Sequence, residues 1–431
     1  MEVFYIMSKY DNIGEMKYQV SENVIRKLAA TTEDTKVLKA LQFIEDEQDF
    51  ILERQIELTL IPAPTHHEEK KARRILELYK EQGLEDCHID PYGNVVGIRR
   101  GTGGGKTVLV EAHMDTVFPM DTKLEVVKED GWVKCPGILD NTRGCAAVLS
   151  VMRALNAADI KTKGDIHFVG TVQEEGTGAL KGMQYYVQHH PELDASITID
   201  GDGFQDIVYE ATGIQTYEVI FHGIGGHASG AFAQVANPIH AAARAITKIG
   251  DIREAEFPHS TYEVTNLLAG TYEAVHAIPA EATIRLNFRS NDQEELMKLR
   301  DRILGAIDEA CKEETARWGK DTITYTVDAI CDVNAGTQDP HTPIVEGAMA
   351  IAKYLGCENP RLEEGGSTNF SRAIEAGLPS VCLGEGSGYS GLCHTTAERF
   401  RPEGAFRGCQ AAMLLALLCA GNGDVDSVFD K

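Results

Sequence analysis

The order of apolar and polar residues divides the chain into stretches of different character. From about residue 20 to 85, apolar residues recur every three or four positions in VIRKLAA, LQFIEDEQDFILERQIELTLI and EEKKARRILELYKEQGL, the spacing of helices with one buried stripe. The interruption IPAPTHHEE carries two prolines and the pattern Thr65-x-x-Glu68, which predicts a stop and a new helix start. Beyond it, short apolar runs alternate with helical ones. HIDPYGNVVGIRRG holds a turn at Asp90–Gly93, and TVLVEAHMD is a nearly continuous apolar strand. TRGCAAVLSVMRALNAA reads as a helix, DIHFVGTVQEE as a strand, ALKGMQYYVQHH as a helix and ASITIDGDG as a strand. This alternation predicts an α/β fold, a mostly parallel sheet with helices on both faces.

Near Thr212 the pattern changes. QTYEVIFHG alternates apolar and polar residues, as a half-exposed antiparallel strand does. A helix (NPIHAAARAITKIGDI), two strands (STYEVTNLLAG and EATIRLNFRS), a long helix from EELMKLRD and a last strand (DTITYTVDAI) follow. The order β-α-β-β-α-β is the split, ferredoxin-like α+β arrangement. From about 330 the βα character returns with TPIVEGAMAIAKYLG, SVCLGEG and a C-terminal helix, GAFRGCQAAMLLALLCAG. The expected organisation is a larger α/β domain in two parts, 1–212 and 330–431, interrupted by an inserted domain at 213–329.

Composition narrows the partners. With 66 acidic and 41 basic residues the formal charge is −25, which argues against nucleic acid, since phosphate binding needs a basic face. No run of eighteen apolar residues predicts a membrane span, and the N-terminus lacks the basic-then-apolar order of a secretion signal. Ten cysteines are scattered without a C-x-x-C pair, as expected of buried thiols in a reducing compartment. A cytoplasmic protein is predicted.

Candidate chemistry gathers at the ends of elements. Four expected strands end in acids or histidine: EAHMD (111–115), GILDN (137–141), VQEEG (172–176) and TIDGDG (198–203). One such ending is usually a solvated turn. Four in succession crowd like charges at one edge of a sheet, where ligands of α/β proteins collect, and cations or protons must neutralise them. His394, in CHTTAE, adds a fifth candidate. Imidazole with carboxylates suits zinc, with manganese or cobalt as substitutes. Asp115, two residues after His113, is placed to fix that imidazole's tautomer. In the Glu174-Glu175 pair one side chain can bind metal while the other stays free as a base. Two metals sharing a water can polarise a carbonyl and support amide hydrolysis without a covalent intermediate.

From about residue 50 to 421 these residues resemble the M20 metallopeptidases, a family of di-zinc aminopeptidases, carboxypeptidases, dipeptidases and N-acyl-amino-acid deacylases. VEAHMDTVFP is similar to the family's first metal motif, which implies His113 as ligand with Asp115 behind it. PGILDNTRG resembles the motif whose aspartate bridges both ions, which implies Asp140. VQEEGTGALKG resembles the acidic pair, making Glu174 the base that activates the water held by the metals and Glu175 a ligand. TIDGDG aligns at Asp200, as in the tripeptidase-like branch, with Asp202 as the alternative, and CHTTAERF implies His394. The insertion resembles the family's lid or dimerisation domain, so a homodimer is implied. GIGGHASG implies that His227 supports the oxyanion of a neighbouring site, and IRLNFRS that Arg289 holds the substrate's carboxylate. AVHAIPAEA places His276 where the family often has Asn. GGSTNF (365–370) resembles its Gly-Ser-x-Asp substrate loop, giving Gly366, Ser367 and Asn369, with Asn369 replacing the Asp.

The resemblance implies a metal-dependent exopeptidase for di- or tripeptides, with an N-acyl-amino-acid deacylase using the same site as the alternative. Two other classes are a non-catalytic binding homologue and a thiol hydrolase using Cys393 and His394.

Overall fold

In a computed structural model of the protein, which describes residues 13, 16–201, 203–253, 259–318, 323–386 and 392–430, the N-terminal periodicity becomes four helices: Glu22–Glu33, Thr35–Asp46, Gln48–Thr59 and Glu69–Glu81. The segment 41–61, expected as one helix, is divided at Glu47 between the second and third. There the Glu47 carboxylate takes two hydrogen bonds from the Arg153 guanidinium, at 2.8 Å each. Thr65-x-x-Glu68 does not form the expected capping box, because the fourth helix starts at Glu69 without a side-chain cap. Both side chains are used at the site described below.

The chain forms two compact units, Met1–Ala211 with Thr337–Lys431, and Thr212–Gly336. The first holds an eight-stranded mixed sheet in the order Glu85–Ile89, Val95–Arg99, Ile166–Thr171, Val108–His113, Ala195–Ile199, Ser380–Leu383, Asp206–Val208 and Arg361–Glu363. Its centre is parallel: Val108–His113 runs beside Ile166–Thr171 and Ala195–Ile199, and Ala195–Ile199 beside Ser380–Leu383. The edge formed by Glu85–Ile89 and Val95–Arg99 is antiparallel. Period-two alternation sorts the central strand. Val108, Val110 and Ala112 pack into one core with the helices Thr142–Ala157 and Phe406–Ala420. Leu109, with Val96 and Val169, packs on the other face against Met183 and Tyr186 of the helix Lys181–His189. Glu111 and His113 therefore share the face of Leu109. From Gly408 on, the C-terminal helix is buried at every residue and apolar except for Gln410, the composition of a helix inside a core rather than on it.

GILDN is not a strand. Residues 136–141 form turns that lead into the helix Thr142–Ala157, with Asn141 capping it by accepting from the Gly144 N–H at 3.0 Å. A side chain at 144 would stand 2.0 Å from the Asn141 oxygen, so this cap requires glycine there.

The second unit has the predicted β-α-β-β-α-β order. Its antiparallel sheet runs Ser260–Ala269, Glu281–Ser290, Gly213–His222, Thr324–Val333, with the helices Pro238–Gly250 and Gln293–Trp318. Val219, Phe221, Ile284 and Leu286 pack against Ala241, Ala245, Ile303 and Ile307 of those helices. The last strand continues beyond the expected boundary at 329 to Val333, which still pairs with Ile214.

Candidate metal centre

His113, Asp140, Glu174, Glu175, Asp200 and His394 line one cavity of about 290 Å³ in the first unit. Three of its walls follow parallel strands: His113 ends Val108–His113, Glu174 and Glu175 lie just beyond Thr171, and Asp200 follows Ile199. This is the carboxyl edge of the sheet, where ligands bind in α/β folds. Asp140 enters from the turn before helix Thr142–Ala157, through a cis Asp140–Asn141 peptide, and His394 from the loop before the C-terminal helix. Asp202 lies outside the described residues.

The ring of His113 points Nε2 into the cavity, 3.2 Å from Asp140 Oδ1, 3.8 Å from Asp200 Oδ2 and 3.9 Å from Glu174 Oε2. His394 Nε2 lies 2.9 Å from Asp140 Oδ2 and 3.1 Å from Glu175 Oε1. The two oxygens of Asp140 are thus divided between the two histidines. Ligand atoms of His113, Asp140 and Glu175, and again of His113, Glu174 and Asp200, fall within 4.8 Å of one another. Imidazole and carboxylate donors grouped in this way suit a divalent ion. His394 directs its ring at carboxylates of the cage, which favours a ligand over the base of a Cys393 thiol.

The charges are strained in the expected direction. Burial pushes the Glu174 carboxyl well above its ordinary range, with His113 pulling down and Glu175 and Asp200 pushing up. Asp200 rises to about 7, again through burial, with His113 opposing and Asp140 reinforcing. Asp140 goes the other way. Burial would raise it, but hydrogen bonds to His113 and His394 hold it well below the carboxylate range. Those to Asp140 and Glu175 lift His394 to about 10.

Behind the cage, buried carboxylates hold the loops that carry it. Asp115 is fully buried, with Oδ1 3.5 Å from His113 Nδ1. It also accepts the backbone N–H of Glu174 and Glu175, both at 3.0 Å, and the Thr65 hydroxyl at 2.9 Å. Its backbone carbonyl stands 3.1 Å from His113 Nδ1, so one residue both aims a histidine and, through its carboxylate, shapes the acidic loop. Glu68 accepts the N–H of His66 and Gln173, at 3.0 and 3.1 Å, which fastens the same loop from its other side. Glu398, fully buried, accepts the N–H of Gly137, Leu139 and Asp140 at 3.1, 2.8 and 3.0 Å. Lys71 is buried behind these acids, 3.4 Å from the Thr142 hydroxyl. Burial lowers its pKa, against the opposing pull of Cys145, Asp115, Glu398 and Glu68.

Asn369 requires a correction. Expected at the substrate, it is fully buried and absent from the cavity lining, donating its amide N–H to Glu111 at 3.0 Å and Thr171 at 2.7 Å. Glu111 also accepts the hydroxyls of Thr198 and Thr171, at 2.5 and 3.0 Å. An aspartate at 369 would set two buried carboxylates against each other, whereas asparagine supplies a donor. The cavity is lined instead by Gly366, Ser367 and Thr368, and the Thr368 hydroxyl donates to Asp200. A side chain at 366 would stand 2.4 Å from Val208, so the loop approaches the sheet only with glycine.

His227, His276 and Arg289 belong to the second unit. His227 is exposed on the short strand Gly226–His227, where its Nδ1 accepts the Ser229 and Gly230 N–H at 3.3 and 3.2 Å. His276 is exposed, and its carbonyl accepts the Ala228 N–H at 2.8 Å. Arg289 lies on the exposed face of Glu281–Ser290, so its charge is not buried in the strand, and its Nε donates to Asn287 at 3.0 Å.

The profile of peptidase family M20/M25/M40 matches residues 109–418, most of the chain and every element of the cage. The protein belongs to this family. It is a metallohydrolase with the family's fold. The chain is 27% identical over 282 residues to succinyl-diaminopimelate desuccinylase of Burkholderia cenocepacia, a match covering 60% of this chain and 73% of that one. A tripeptidase from Staphylococcus aureus superposes with a TM-score of 0.69 at 25% identity, over 86% of this chain and 98% of the other. The YXEP protein of Bacillus subtilis, described as a dinuclear metal binding peptidase of the M20 family, superposes with a TM-score of 0.62 at 16% identity, over 87% and 99%. Among the described residues, no helix is long and apolar enough to cross a membrane.

Proposed function

We propose that the protein hydrolyses the amide bond of a small peptide, acting as a di- or tripeptidase with two divalent ions held by His113, Asp140, Glu175, Asp200 and His394. The observation that carries this proposal is the division of Asp140, whose Oδ1 faces His113 and Oδ2 faces His394, as a carboxylate between two cations would be. Zinc fits this donor set, and manganese or cobalt can replace it. Bound ions would polarise the scissile carbonyl and lower the pKa of an attacking water.

The protein's own groups do the rest. Glu174 stands in the cage beside Glu175 and Asp200, with a carboxyl whose affinity for protons is raised. It takes a proton from the water and returns it to the leaving amine, the exchange for which a base of raised pKa is suited. Asp115 keeps His113 in one orientation, while Gly366, Ser367 and Thr368 face the substrate. On the family resemblance, His227 supports the oxyanion of a neighbouring active site, Arg289 receives the substrate's carboxylate and His276 contacts the substrate.

A deacylase remains the competing substrate class, favoured by the 27% likeness to a desuccinylase. Release of free amino acids from tripeptides, measured beside release of succinate or acetate from N-acyl amino acids, decides between them. We expect the tripeptides to be cleaved at least ten times faster in kcat/KM. Preference for the acylated compounds would reverse the assignment.

The protein is also proposed to be a cytoplasmic homodimer. Ten cysteines, none joined in a disulfide, suit a reducing compartment. In the second unit, Ser260–Ala269 is an edge strand with Leu267 and Leu268 50% and 59% exposed, followed by Tyr272 at 94% and Val275 at 75%. An apolar edge of this kind is normally covered. Leu268→Asp is expected to shift the mass measured by light scattering from dimer to monomer. A wild-type monomer at micromolar concentration would remove the proposal.

A further inference from the structure

A second group of metal-ligating side chains lies at the other end of the central sheet. His167 is the second residue of Ile166–Thr171 and pairs with Leu109, whereas His113 pairs with Thr171. The separation is four residues, roughly 13 Å along the strand. His167 is 2% exposed. His190 follows directly after the helix Lys181–His189, and Glu192 stands in the loop beyond it. One nitrogen of each ring and one Glu192 oxygen lie within 4.8 Å of one another.

Several features give this group the form of a site. The fully buried Tyr186 hydroxyl is 2.8 Å from His167 Nδ1, an outer partner that fixes the ring plane and reserves the second nitrogen. The ring of His190 stacks on Tyr186 at 4.1 Å between centroids and stands perpendicular to that of His167 at 5.6 Å. Its Nδ1 lies 2.7 Å from Glu192 Oε1. The Tyr186 hydroxyl partners one nitrogen of the buried His167, and the half-buried His190 with Glu192 stands within reach of the same ring.

We propose that His167, His190 and Glu192 bind a zinc ion separate from the hydrolytic cage, tying the start of a central strand to the loop after Lys181–His189. Two imidazoles and a carboxylate are a recognised zinc set, with the fourth position open to water. Ligand atoms around tetrahedral zinc stand about 3.3 Å apart, so from separations of up to 4.8 Å the trio closes by at most about 1.5 Å as the ion enters. The partly exposed His190 and Glu192 supply that movement, while His167 stays fixed.

The test is a count of zinc in the intact enzyme. Wild-type protein, His190→Ala and Glu192→Gln are each saturated with zinc, exchanged into metal-free buffer and analysed by elemental mass spectrometry. Both variants are expected to hold one ion fewer than wild type, to lose a zinc-dependent rise in Tm and to keep wild-type turnover. Equal zinc in wild type and either variant overturns the site. The difference is independent of the hydrolytic cage: if that cage bound nothing, wild type would hold one ion and the variants none.

Discussion

Replacing Glu174 with alanine is expected to lower kcat between about 10² and 10⁴-fold while leaving the metal content unchanged. Glu174 Oε2 stands 3.9 Å from His113, whereas Glu175 comes within 3.1 Å of His394. Removing the first takes away a group poised to exchange protons, and removing the second opens the wall. Glu175→Ala should therefore lose metal as well as turnover. The pair is resolved by measuring zinc and initial rates on the same preparations. If Glu174→Ala sheds an ion and Glu175→Ala does not, the roles of the two are exchanged.

The second large effect is expected at Glu398, which touches neither the cavity nor substrate. Its carboxylate accepts three backbone N–H groups of the turn that carries Asp140. In Glu398→Ala those donors lose their partners in a buried place, at about 1–3 kcal/mol for each left unsatisfied. A total near 4 kcal/mol would lower Tm by about 10 °C. The freed turn should also weaken zinc binding about 10- to 100-fold, as the loss of a group supporting a ligand does. Glu398→Gln keeps an acceptor oxygen and should recover part of both losses. A Glu398→Ala protein with wild-type Tm and zinc affinity would mean that the turn holds its shape without this carboxylate.

These two predictions differ in how much of their basis is visible along the chain. Glu174 belongs to a pair of acids at a strand end, beside three other acidic or histidine-bearing segments, and the crowding alone asks for cations. His113 and Asp200 are legible for the same reason, Asp140 from a segment expected as a strand that is a turn, and His394 from the family motif CHTTAERF. The inserted unit is legible because its alternation switches from continuous apolar strands to half-exposed ones. Glu398 carries no such signal. What makes it important is three N–H groups from residues 137–140, brought to it only by the tertiary fold. Thr65 and Glu68 mislead outright. Their spacing is that of a helix cap, yet Thr65 is bonded to Asp115 and Glu68 to the acidic loop. GILDN misleads more mildly, since three residues of apolar sequence do not separate a strand from a buried turn. Glu111 offered the clearest unused sign: an acid inside an otherwise apolar strand must be met by donors. Thr171, Thr198 and Asn369 are those donors, and they explain why Asn369 has turned from the cavity.

The same supports explain how a cage with so many acids is held together. Asp115 and Glu398 each fasten one ligand-bearing loop through its backbone, leaving the ligand side chains free to meet a metal. Lys71 is buried behind both, where burial lowers the pKa of its amine against the pull of Asp115 and Glu398. Preorganisation of this kind spares the loops the entropy of ordering when metal or substrate arrives.

The most direct test of the central claim is a crystal structure of the zinc-loaded protein with anomalous diffraction recorded at the zinc edge. Two peaks about 3.5–4 Å apart are expected, with Asp140 between them, Glu175 and His394 on one, and His113 and Asp200 on the other. A single peak, or peaks that Asp140 does not bridge, would contradict the two-metal account.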